Sequence, residues 1–154
     1  MTRKTHRDPY TPDLFSDWKP PRVAVGFEPG TICGNRLSSR ISRAIAKALK
    51  DCDKDRATIA GQMSERLGTK VTLATLDAYA SEAKTGNNIT VERFLALIHA
   101  TGATELLGFI ASDFDMAVVP RKYENVIELA LIEDQQKTIE LHKKNLQAKI
   151  RGAR

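Results

Sequence analysis

The chain has 154 residues, with 24 Lys and Arg against 19 Asp and Glu, a net charge of +5 and a pI near 9.3. That length suits one domain with extended ends, and the positive balance mildly favours a polyanionic partner. Two cysteines make no disulfide framework, and no apolar run approaches the ~18 residues that a membrane helix needs, so a soluble protein with reduced thiols is expected.

Residues 1–35 read as an extended arm. Pro9, Pro12, Pro20, Pro21 and Pro29 punctuate it, and no periodicity runs through it. Within it, Leu14, Phe15 and Trp18 form a short apolar cluster flanked by acids. Two readings stand: the cluster staples the arm to the domain, or it is a linear motif that docks in the groove of a partner protein. Val23-Ala24-Val25 could add a short strand, pairing with the β-branched run Met116–Val119.

From Leu37 to Cys52 the spacing predicts an amphipathic helix. Leu37, Ile41, Ala44, Ile45, Ala48, Leu49 and Cys52 mark the buried face. Arg36, Arg40, Arg43, Lys47, Lys50 and Lys54 recur opposite it and stay within an arc of roughly 80°. A solvated face accounts for such a stripe. A phosphate-binding face accounts for it as well, because no acid of the same segment relieves the row before Asp51.

Three helices follow between Asp55 and Gly102. The first, about Asp55 to Leu67, carries Ile59, Ala60, Met63 and Leu67, and Gly68 stops it. Thr72 caps a second, carrying Leu73, Leu76, Ala80 and Ala83, which Gly86-Asn87-Asn88 breaks. Thr90 caps a third, with Val91, Phe94, Leu95 and Ile98. Helix, Gly-containing turn, helix is the outline of a helix-turn-helix. In DNA readers of this kind the second helix enters the major groove, which makes Lys70, Thr72 and Thr75 the candidates for base or phosphate contact. Three features count against that role. The second helix bears Asp77 and Glu82; it has no Arg, Asn or Gln; and Ala60, taken as the small residue of the first helix, precedes the turn glycine by eight positions where about four is usual.

A further helix is expected from Thr104 to about Phe114, capped by Thr104 and repeating Leu106, Leu107, Ile110 and Phe114. From about Lys122 to Lys149 neither Gly nor Pro interrupts a sequence of strong helix formers. Its first half, through Val126, Ile127, Leu129, Ala130, Leu131 and Ile132, is apolar enough to dock on the domain. Ile132, Ile139 and Leu146 recur every seven residues and give one edge of a coiled-coil seam. The second edge, taken at Gln135, His142 and Lys149, is polar. A homodimer through this helix and a single projecting helix with its basic end free for phosphates are both open.

No chemistry-bearing pattern occurs. His6, His99 and His142 lie far apart, neither cysteine has metal-ligand spacing, and no phosphate loop or nucleophile elbow is present. No catalytic residue, metal or cofactor is therefore assigned, and a non-enzymatic protein is expected.

The pattern IAxxMSxxLGxxVTxxxLDAYxSEA, from Ile59 to Ala83, resembles the phage-repressor superfamily of helical DNA-binding domains in outline. Most of the chain is similar to small early-region proteins of Mu-like transposable phages. The shared elements are DLFxDW, SRAIAKALKDC, LDAYASEA, FLALIHATG, the AVVP link and a charged C-terminal helix. That resemblance implies a bacterial host cytoplasm and a setting of DNA transactions, and it brings no ligand or catalytic residue with it. The expected architecture is all-α: an arm over 1–35, a bundle of about five helices with a helix-turn-helix-like unit within 36–119, and a long helix with a basic tail over 120–154. The expected function is a DNA-binding accessory or regulatory protein, with double-stranded DNA met mainly through phosphates. The alternative is an adaptor that binds a phage or host protein through the arm and no nucleic acid.

Overall fold

The computed structural model describes residues 23–83, 86 and 88–152. The described residues form an all-α fold of six helices: α1 (Leu37–Asp51), α2 (Arg56–Leu67), α3 (Leu73–Tyr79), α4 (Val91–Thr101), α5 (Glu105–Ser112) and α6 (Glu124–Gly152). A single 3-10 turn, Arg121–Tyr123, leads into α6.

Local chemistry sets most of the boundaries. Asp55 accepts from the Thr58 amide, Thr72 from Thr75 and Thr90 from Arg93, so α2, α3 and α4 each begin at a side-chain cap that satisfies an orphan N–H. Gly68 and Gly102 end α2 and α4 in the left-handed conformation, at φ 63° and 73°, where a Cβ would be strained. Thr104 occupies the N-cap position of α5 but makes no capping bond, because its backbone is already helical there. Leu107 N–H bonds its carbonyl instead.

The core lies where α2 packs along α4 and where α1 packs against α5 and α3. Ile45, Ile59, Met63, Leu76, Leu97 and Leu106 are its largest fully enclosed side chains, with Tyr79, Phe94 and Phe109 at its margin. Each such burial contributes about 1.5–3 kcal/mol, and close packing of α2 on α4 makes that pair the frame for the rest.

The buried faces are narrower than the sequence spacing suggests. In α1 the enclosed residues are Ala44, Ile45, Ala48 and Leu49, whereas Leu37 is exposed and Cys52 lies just past the helix. In α4 the stripe runs through Phe94, Leu97 and Ile98, leaving Val91 and Leu95 in solvent. In α5 it is Leu106 and Phe109, and both Ile110 and Phe114 are exposed. The second helix of the helix-turn-helix is also shorter than expected. It ends at Tyr79, Ala80 is its C-cap, and Ala83 is exposed outside it. The Tyr79 hydroxyl is bonded by the Arg93 guanidinium, and the chain then departs toward α1, where Glu82 is bound.

Val25 and Val118 form an isolated antiparallel bridge, with the Val25 amide donating to the Val118 carbonyl at 2.8 Å. This is the pairing expected between the two β-branched runs. It lies against α5 at Gly108, where an added Cβ would come within 1.9 Å of the Val25 carbonyl oxygen. Only glycine admits that approach.

Helix α6 departs furthest from expectation. Its 29 residues include no buried one, and the first half does not dock. Val126, Ile127, Leu129, Leu131 and Ile132 are all exposed. The apolar set on this half points around most of the helix circumference, so no single face could be covered by the bundle.

Candidate nucleic-acid interface

The turn between α2 and α3 is built from Ser64 and Val71. Ser64 Oγ donates to the Ala60 carbonyl at 2.7 Å and accepts from the Val71 amide at 2.8 Å, and the Val71 side chain is buried. Ser64 is thus the small residue of the first helix, four positions before Gly68. The spacing taken from Ala60 overstated the length by one turn, and the unit has the ordinary offset.

At the start of α3, Lys70 and Thr72 are exposed and Thr75 is half-buried. Their hydroxyls are not idle: Thr72 Oγ1 holds the Thr75 amide at 3.1 Å and lies 2.8 Å from Thr75 Oγ1. Thr75 therefore serves the cap first, and Lys70 and Thr72 are the side chains best placed to reach out. The two acids that told against this surface are both engaged. Asp77 is paired with Arg56 from the first turn of α2, and Glu82 with Arg43 of α1.

The basic row on α1 has the same feature seen from the other side. Arg43 Nε donates to Glu82 Oε1 at 2.7 Å, while another of its nitrogens donates to the Cys33 carbonyl. Ser39 Oγ also donates to Glu82. Arg40 pairs with Asp113, and its guanidinium carbon stands 5.5 Å from the centre of the Phe109 ring. Lys47 pairs with Asp51 one turn on, at 2.6 Å. Lys54 donates to the Ala100 carbonyl at 2.6 Å and to Gln62 Oε1 at 2.9 Å, tying α1's end to α4 and α2. Only Arg36 and Lys50 of the six have no side-chain partner among the described residues. Two of the counter-charges, Asp113 and Glu82, come from the C-cap of α5 and from the segment after α3, far from α1 in sequence.

Electrostatics follow from these pairs. The hydrogen bond from Arg43, then that from Ser39, holds the Glu82 carboxyl below its usual range, and the same bond raises Arg43. Both groups remain charged at neutral pH. Because these pairs are open to water, each is worth little and can exchange partners.

Leu14, Phe15 and Trp18 lie outside the described residues. Among the described residues no group of three or more His, Cys, Asp or Glu could hold a metal ion, and no helix is long and apolar enough to cross a membrane. Comparison with protein-family models, curated proteins and solved structures returns no match.

Proposed function

We propose that the chain is a non-enzymatic DNA-binding accessory or regulatory protein that holds duplex DNA mainly by its phosphates. The observation that carries this reading is the α2–turn–α3 unit, with Lys70 and Thr72 exposed at its leading edge and with Asp77 and Glu82 paired to arginines. Arg36, Lys50 and Lys70 are the cations ready for phosphates. Arg40, Arg43 and Lys47 join them when a polyanion displaces their exposed carboxylates. The setting in a transposable phage rests on the sequence resemblance alone.

The test is binding to a short duplex between 50 and 200 mM salt, read by fluorescence anisotropy. Each phosphate contact steepens the fall of log K with log[salt] by about 0.9, so three free cations give a slope of about −2.7 and all six about −5.4. Reversing Lys70 to Glu should weaken binding and make the slope shallower by about 1. Affinity that ignores salt, or that survives reversal of Arg36, Lys50 and Lys70 together, overturns the proposal.

A second reading, a protein-binding adaptor without nucleic acid, is favoured by one observation: Arg40, Arg43, Lys47 and Lys54 already serve as internal ties. Under it, no duplex binding is seen even at the lowest salt, and deleting residues 1–22 abolishes capture of the protein partner.

A further inference from the structure

Helix α6 leaves a row of apolar side chains uncovered, and its charges are sorted by end. Positions 129, 132, 136, 139, 143, 146 and 150 alternate in steps of three and four, the spacing of a coiled-coil seam. Five of the seven are Leu129, Ile132, Ile139, Leu146 and Ile150, all exposed; the others are Gln136 and Lys143. The edge matching Ile132, Ile139 and Leu146 therefore runs through Leu129 and Ile150, on the opposite flank from Gln135, His142 and Lys149. The seam runs for three heptads, enough for a helix pair.

Charge decides the orientation. Residues 124–135 contain Glu124, Glu128, Glu133 and Asp134 and no base, whereas 141–152 contain Lys143, Lys144, Lys149 and Arg151 and no acid. Two parallel copies would set acid beside acid and base beside base. Two antiparallel copies set each acidic half along the basic half of the other, with helix dipoles opposed. The same sorting suits an isolated helix, so charge sets direction while the apolar seam supplies the attraction.

We propose that α6 binds α6 of a second copy of this chain in an antiparallel pair. In the register that aligns the apolar ends, Leu129 faces Leu146 of the second copy, Ile132 faces Lys143, and Ile139 faces Gln136. The two Gln136 side chains lie beside each other near the two-fold axis, where a buried amide fixes register at some cost in stability. Glu128 meets Lys149 across the seam. Glu133 meets Glu140, the one repulsive flank.

The test uses the full chain without DNA, so its outcome is independent of nucleic-acid binding. Sedimentation should give a dimer that Ile139→Glu converts to a monomer. Since Ile139 is exposed and outside the bundle, the thermal melting of the bundle should stay unchanged. With Cys33 and Cys52 replaced by Ser, an equimolar mixture of Leu129→Cys and Leu146→Cys chains should form mixed disulfides, while Leu129→Cys alone should not self-link. Glu140→Lys should tighten the dimer about fivefold by turning its repulsive flank into an ion pair, because in a parallel pair the same position faces only Gln135. A monomer at about 100 μM, any other stoichiometry, or self-linking of Leu129→Cys overturns the proposal.

Discussion

Arg43 and Glu82, 39 residues apart in sequence, meet at 2.7 Å between Nε and Oε1 and join α1 to the segment that follows α3. The pair uses a cation of the candidate DNA surface to hold an acid just beyond the helix-turn-helix. It therefore couples the two surfaces that this fold could offer to a polyanion.

Glu82→Gln should strengthen duplex binding at low salt, because it removes one negative charge and releases Arg43. The salt slope should steepen by about 1 as one more phosphate contact becomes available. Anisotropy titrations of the two proteins side by side check this. An unchanged slope would mean that Arg43 stays bound to the Cys33 carbonyl and takes no phosphate.

The same carboxyl predicts a pH signature. Its folded pKa is lowered from 4.5, so the unfolded chain takes up its proton first as pH falls. The stabilisation is complete above the unfolded value and is lost as pH drops through the folded one. The difference in melting temperature between the parent chain and Glu82→Gln should be constant near neutrality and should shrink below pH 4.5.

Gly108→Ala should destabilise the fold by about 1–3 kcal/mol, since the new methyl must push the Val25 carbonyl away. Denaturant unfolding measures the loss. Amide exchange should show Val25 N–H losing protection, as its bond to Val118 opens before the helices do.

Two leucines one helix apart in sequence should differ sharply. Leu97 is 0% exposed and Leu73 48% exposed. Leu97→Ala should cost about 2–5 kcal/mol through the cavity it leaves, while Leu73→Ala should stay within about 0.5 kcal/mol. Comparable losses would mean that Leu73 is covered in solution.

Ser64→Ala should cost about 1 kcal/mol or more, because the half-buried Val71 amide loses its acceptor. The turn should loosen with it, so duplex affinity should fall more than stability does. Urea unfolding and anisotropy on the same preparation separate the two effects.

What could be read from sequence was mainly what is local. Thr72 and Thr90 marked helix starts because a cap acts within three residues, and Gly68 marked an end because the left-handed conformation is a single-residue property. Six bases on one arc of α1 were equally visible. Their partners were not, since Asp113 and Glu82 come from 73 and 39 residues away. Periodicity also identified apolar faces without their width: Leu37, Val91, Leu95, Ile110 and Phe114 fit the spacing yet lie at the dry stripe's border or beyond. Gly108 carried no signal at all, because its meaning is the backbone of another segment. Ala60 and Ser64 are both small residues of α2, and it is the bond from the Val71 amide to Ser64 that tells which of them sets the turn.

The bridge between Val25 and Val118 brings the two ends of the segment that holds the bundle to one point. A unit with adjacent entry and exit can be spliced into a surface loop of an unrelated host protein without stretching that host. Residues 23–119 should therefore be portable as an insert, and a fluorophore pair placed on either side of the splice would report, by its proximity, whether the graft is folded.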